Sequence, residues 1–99
     1  MKKGLVQADS FDWDDGNRSK NWHKHRVTDK ECEEVFTDPS LKIGKDVLHS
    51  RQEPRFVLIG KTGGKRILYV VFTARGEKIR IISARDLNKK ERKLYEKAA

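Results

Sequence analysis

Ninety-nine residues, with 23 Lys and Arg against 15 Asp and Glu and a net charge of +8, suit one domain, 1–99, and leave no room for two. A single cysteine, Cys32, excludes an intrachain disulfide and a cysteine-built metal cage. No apolar run approaches the roughly 20 residues that cross a bilayer, and residues 1–10 lack the apolar core of a signal peptide, so no membrane role and a cytoplasmic location are expected.

The first signal along the chain is Phe11-Asp12-Trp13, an apolar–polar–apolar alternation that suits a short strand, with Asp14 behind it as a helix N-cap. A weakly periodic helix over 15–25 follows, anchored by Trp22. Thr28 and Glu31 have capping-box spacing, flanked at hydrophobic-staple positions by Val27 and Cys32. They predict a helix over 29–36 that buries Cys32, Val35 and Phe36 and stops at Asp38-Pro39. The two helices meet at a bend near Arg26-Val27. Residues 41–48 hold four aliphatic side chains around Gly44, enough for a short strand or an ordered loop. Strands are then predicted over 55–61, 66–73 and 78–84, joined by turns at 62–65 and 74–77. Connections this short make antiparallel neighbours. Asn88 and Glu91 repeat the capping-box spacing and open a basic terminal helix to about Lys97, with Leu94 and Tyr95 facing inward. The expected class is α+β: two N-terminal helices, an antiparallel meander and a C-terminal helix.

The positive charge is uneven. Nine basic and four acidic residues lie between Arg75 and Lys97, and a basic face of that kind favours nucleic acid, through counterion release, or an acidic protein partner. The same excess also serves simply to keep a surface solvated. Metal chemistry is poorly provisioned: His23 and His25, two apart on a helix, point in different directions, and His49 stands in a separate loop. No Gly-rich phosphate loop is present. No cofactor is expected.

Metal-free RNA cleavage asks for a base to deprotonate the 2′-hydroxyl, cations to stabilise the phosphorane, and an acid for the leaving oxygen. Lys24, His25 and Glu34 near the helical bend are candidates for proton transfer. Arg55, Arg75, Arg80 and Arg85 on or beside the sheet are candidates for phosphate, which the planar guanidinium fork matches. Strict alternation along 79–83 puts Arg80 and Ile82 on one face and Ile79, Ile81 and Ser83 on the other. A mid-strand arginine equally suits a solvated sheet face, and His25 equally suits a cation at a helix C-terminus. Ser83 at the strand end and Lys89 and Arg92 in the basic helix complete the set. Trp13 and Trp22 read as core rather than as base-stacking platforms.

The order of these motifs resembles the BrnT toxins of bacterial and archaeal toxin–antitoxin pairs, across nearly the whole chain from Phe11 to Tyr95. The opening Phe11-Asp12-Trp13-Asp14, then Asn21 and Lys24-His25-x-Val27, is similar to that family's opening. Glu33-Glu34-Val35-Phe36, Asp38-Pro39, His49-Ser50, Glu53-x-Arg55-Phe56 and Ile59-Gly60 continue it. The most specific stretch runs from Phe72-Thr73-x-Arg75-Gly76-Glu77 through Ile79-Arg80-Ile81-Ile82-Ser83-Ala84-Arg85, followed by Glu91-Arg92 and Tyr95. The resemblance implies a RelE-like fold and a cofactor-free endoribonuclease that blocks translation by cleaving RNA. It implies a ribbon-helix-helix antitoxin of the BrnA type, a toxin–antitoxin heterotetramer, and operator DNA reached only through the antitoxin. It places Lys24, His25, Glu34, Arg75, Arg80, Ser83 and Arg85 at or near the active surface. Two positions depart from the pattern: Arg26 stands where the family usually has Gly, and Asn17-Arg18 lies where a Lys is common. A non-catalytic RNA-binding or antitoxin-docking module is the alternative function.

Overall fold

The computed structural model describes residues 10–46 and 53–97, so His49 and Ser50 lie outside the described residues. The elements are α1 (Lys20–His25), α2 (Asp29–Glu34) with a 3-10 turn at Val35–Thr37, β1 (Lys42–Lys45), β2 (Phe56–Lys61), β3 (Ile67–Arg75), β4 (Lys78–Asp86) and α3 (Lys89–Lys97). The strands form one antiparallel sheet in the order β1-β2-β3-β4, the meander expected from the short turns.

One face of the sheet carries the core. Leu58, Leu68, Val70, Phe72, Ile79, Ile81 and Ala84 pack beneath Val27, Cys32, Val35 and Phe36 of the helical layer, all with 7 % exposure or less. Phe36 meets Phe72 edge-on at 5.0 Å, and Phe56 stacks on Phe72 at 5.5 Å. The helices can lie this close because Gly60 has no Cβ: one built there would stand 2.8 Å from the Val35 carbonyl oxygen. Val27 and Cys32 are both fully buried, as the staple spacing requires. Burial pushes the Cys32 thiol up to about 12, so it stays protonated.

The capping box of α2 closes in both directions: Glu31 N–H donates to Thr28 Oγ1 at 3.0 Å, and Thr28 N–H to Glu31 Oε1 at 2.9 Å. The same reciprocal pair forms between Asn88 and Glu91 at the start of α3.

The first helix departs from expectation. It begins at Lys20, not near residue 15, because Ser19 has a left-handed backbone (φ 59°) and residues 15–19 form turns folded over Asp14 and Asn17. Its buried residue is Asn21, at 1 % exposure, whereas Trp22 is 43 % exposed and is no anchor. The reason lies in β4. As a terminal strand it presents unpaired backbone groups, and the segment from Ser10 to Asn21 satisfies them one after another. Ile79 N–H donates to Ser10 O, Asp12 N–H to Ile79 O, Asn17 Nδ2 to Ile81 O at 3.0 Å, and Ala84 N–H to Asn21 Oδ1 at 2.9 Å. The strand expected at 11–13 is thus a single parallel bridge from Phe11 to Ile79.

In α3 only one of the two expected inward side chains is buried. Tyr95 is 5 % exposed and donates from its hydroxyl to Asp38 Oδ2 at 2.7 Å, whereas Leu94 is 63 % exposed. Adjacent helical residues are about 100° apart, so a helix that turns Tyr95 to Asp38 points Leu94 away from it. No helix among the described residues is long and apolar enough to cross a membrane.

Candidate functional site

The sheet face away from the core is set by an irregularity in β4. Val71 pairs with Ser83 and Phe72 with Ile81, so Ile82 has no partner on β3 and forms a β-bulge. Buried positions therefore step from Ile79 and Ile81 to Ala84 instead of keeping strict alternation. The consequence corrects the strict reading of 79–83. Ser83 does not share a face with Ile79 and Ile81; it joins Arg80 and Arg85 on the outer face. In register these three stand opposite Thr73, Val71 and Tyr69, three same-face positions of β3 spaced roughly 7 Å apart.

Arg80 and Arg85 are held, not loose. Arg80 donates from Nη1 and Nη2 to the two oxygens of Asp14, both at 3.0 Å, with Asp12 at 3.7 Å, and its side chain is 15 % exposed. The Arg80 hydrogen bond keeps the Asp14 carboxyl below the usual carboxylate range. Arg85 makes a bidentate pair with Glu91, both contacts at 2.8 Å, and its guanidinium lies 4.1 Å over the centre of the Tyr69 ring. Arg85 in turn holds the Glu91 carboxyl ionised to lower pH. Arg75 also lies on the outer face, paired with Glu53 at 3.2 Å. Arg55 precedes β2 and, by alternation with Val57, belongs to that face; its carbonyl accepts from Asp46 N–H at 2.7 Å.

The proton-transfer candidates stand elsewhere. Lys24 and His25 end α1 and are exposed. Glu34 ends α2 and accepts from Gly63 N–H at 3.1 Å, beside the β2–β3 turn. The bend between the helices is fastened by Arg66, which sequence reading treated as a strand residue. Arg66 donates to the carbonyls of His25 and Arg26, to Glu31, and through Nε and Nη2 to Asp86 at 2.7 and 3.0 Å. That pair lowers the Asp86 carboxyl, which also feels the charges of His25 and Arg92. His25, tied through Arg66 to Asp86, stands on the helical side of the sheet, whereas Arg80 and Arg85 point from the outer face, so the proton-transfer candidates and the arginines are not brought together on one face. Lys89 and Arg92 are exposed on the first turns of α3.

The roles of Tyr69, Asp12 and Asp14 escaped the sequence. Tyr69 was legible as an outer-face partner of Val71 by two-residue alternation, but nothing in the pattern indicated its cover by Arg85. Among the described residues, no three His, Cys, Asp or Glu side chains converge to hold a metal ion.

What the arrangement offers is a row of guanidinium groups with one hydroxyl, each arginine preset by a carboxylate and so fixed in orientation before any phosphate arrives. No curated protein compared with the chain matches it. A family model does, described as the ribonuclease toxin BrnT of type II toxin–antitoxin systems, over residues 13–91. Through that match, which takes in the helical bend, the whole sheet and the start of α3, the chain belongs to the BrnT family of ribonuclease toxins.

Proposed function

We propose that the protein is an endoribonuclease that cleaves RNA without a metal ion, on the outer face of its sheet, and blocks translation by doing so. The observation that carries this is the β-bulge at Ile82, because it aligns Arg80, Ser83 and Arg85 on one face. RNA lies along that row, with Arg55 and Arg75 extending the cationic track toward one end and Lys89 and Arg92 toward the other. The scissile phosphate sits at the Arg85 end, where the helical bend comes near. The 2′-hydroxyl loses its proton, its oxygen bonds to phosphorus, and the bond to the 5′-oxygen breaks. A 2′,3′-cyclic phosphate and a 5′-hydroxyl remain. Proton transfer falls to Lys24, His25 and Glu34, reaching round the end of the sheet where Arg66 ties the bend to Asp86.

Arg75, Arg80 and Arg85 are each bound by a carboxylate, so phosphate engages them by exchange, one anion replacing another. That same feature favours a second reading, RNA binding without turnover. The fold is taken as RelE-like, and the partner as a ribbon-helix-helix antitoxin of the BrnA type in a heterotetramer that reaches operator DNA through the antitoxin. Both proteins act in the cytoplasm.

The test is purified protein with RNA in EDTA. Cyclic-phosphate ends are expected; RNA left intact by stoichiometric protein overturns catalysis and leaves binding. Arg80→Lys keeps the charge and loses the two-pronged geometry. It is expected to cut cleavage at least tenfold, with Arg85→Lys acting alike. His25→Ala, Lys24→Ala and Glu34→Ala are each expected to lower the rate, and loss of the group that transfers the proton is expected to remove the acid or base limb of the pH–rate profile.

A further inference from the structure

Beside the arginine row the outer face holds a groove of about 400 Å³ between α3 and the β1–β2 end of the sheet. Its floor is apolar: Val57, Ile59 and Tyr69 below, with Leu94 as one wall. Leu94 is the most exposed large hydrophobic residue among those described, at 63 %. Lys42 of β1, in register with Ile59, forms the opposite rim. Lys90, one turn before Leu94, lies on the same side of α3. On the far side of β1, no described strand continues the sheet.

We propose that this groove is the seat of the antitoxin, taken by a segment with acidic residues set between apolar ones. The inference rests on the toxin–antitoxin reading and adds where, and by what chemistry, the partner is held. The floor calls for aliphatic or aromatic side chains, and the lysine rims call for carboxylates flanking them. RNA suits the groove poorly. The floor offers phosphate no cation and only the Tyr69 hydroxyl as a side-chain donor, and the Tyr69 ring, the one aromatic surface there, is already covered by the Arg85 guanidinium at 4.1 Å. A partner seated here lies against Glu91 and Tyr69, the two groups that hold Arg85, and so flanks the end of the row where the scissile phosphate is placed. Docking and inhibition then share one contact.

Two substitutions test the seat without touching the arginine row. Leu94→Glu puts a charge on the wall of an apolar groove at an exposed position. Gly44→Phe fills the groove from its floor, where a Cβ would meet nothing within 4 Å. The complex with the cognate antitoxin is titrated by calorimetry, and RNA cleavage is measured without antitoxin. Each variant is expected to bind antitoxin at least tenfold more weakly, to cleave RNA within twofold of the parent, and to melt at the parent temperature. Reversal of the rims, with Lys42→Glu and Lys90→Glu together, is expected to weaken binding and flatten its salt dependence. Antitoxin affinity within twofold of the parent in Leu94→Glu overturns the seat. So does a loss of cleavage with affinity unchanged, which would assign the groove to RNA. Should the parent itself fail to cleave RNA, the nuclease reading falls while the calorimetry still decides the seat. Should Gly44→Phe not fold, Leu94→Glu decides alone.

Discussion

Arg26 is one of three described non-glycine residues, with Ser19 and Lys65, whose backbone is left-handed. It caps α1 in the left-handed region, φ 57° and ψ 38°, with its N–H on the carbonyls of Asn21 and Trp22. Glycine adopts that conformation without a Cβ clash, which is why helices commonly end on it. Here the arginine is compensated in part: its guanidinium lies 5.3 Å over Trp22, and its carbonyl accepts from Arg66. The carbonyl contact survives substitution, whereas the exposed cation–π contact contributes no more than about 0.5–1 kcal/mol. Relief of a left-handed non-glycine residue is worth about 1–2 kcal/mol, set against the greater unfolded-state freedom of glycine. Arg26→Gly is therefore expected to raise stability by about 0.5 kcal/mol in urea unfolding, with cleavage unchanged. A loss of stability would mean that the Trp22 contact outweighs the strain.

At the scale of elements, the clearest dependence is of β2 on the turn after α2. A Cβ at Gly60 would meet the Val35 carbonyl at 2.8 Å, and that oxygen is backbone and cannot swing aside. Gly60→Ala is expected to cost about 1–3 kcal/mol by overpacking, read as a lower denaturation midpoint. Removing the Thr28 hydroxyl loses one half of a closed capping box, so Thr28→Ala is expected to cost about 1 kcal/mol. The capping boxes were legible because they are local, two residue types three apart, and both formed as spelled. The meander was legible for the same reason: short turns leave few pairings. The start of α1 was not, because Asn17 and Asn21 are spent on the edge of β4, more than sixty residues away in sequence. No local pattern reports such a partner. Nor did alternation reveal the bulge. Arg80-Ile81-Ile82-Ser83 reads as an ordinary strand, and only the register against β3 shows that Ile82 is skipped, moving Ser83 to the face of the arginines. Arg80 and Arg85 were legible as candidates on or beside the sheet, but not the bulge that puts both on one face, nor their carboxylate partners, which come from the N-terminal segment and from α3.

At the scale of the molecule, ties between segments run through carboxylates that titrate low, among them Asp86, Glu91 and Asp38. Asp86 binds Arg66 and with it the helical bend; Glu91 binds Arg85; Asp38 holds Tyr95 and so the end of α3. Burial works to raise Asp38, but donation from Ser40 N–H, the Tyr95 hydroxyl and Lys61 N–H outweighs it. A group whose folded pKa is depressed contributes stability that is present above its unfolded value, here 3.8 for Asp and 4.5 for Glu, and lost as pH falls through the folded one. The Tyr95 hydroxyl, raised to about 12 by burial and by Asp38, stays protonated throughout that range. The melting temperature is therefore expected to be flat from neutrality to about pH 5 and to fall steeply below pH 4. Asp86→Asn removes the ion pair to the bend and should lower the neutral plateau while making the acid limb shallower. Glu91→Gln keeps a carbonyl oxygen for the Asn88 N–H but loses the charge facing Arg85. It should therefore spare α3, leave its helical circular dichroism intact, and lower RNA cleavage through a less constrained Arg85. A Glu91→Gln protein that cleaves RNA at the parent rate would show that the carboxylate serves only the helix, and that Arg85 acts without being held.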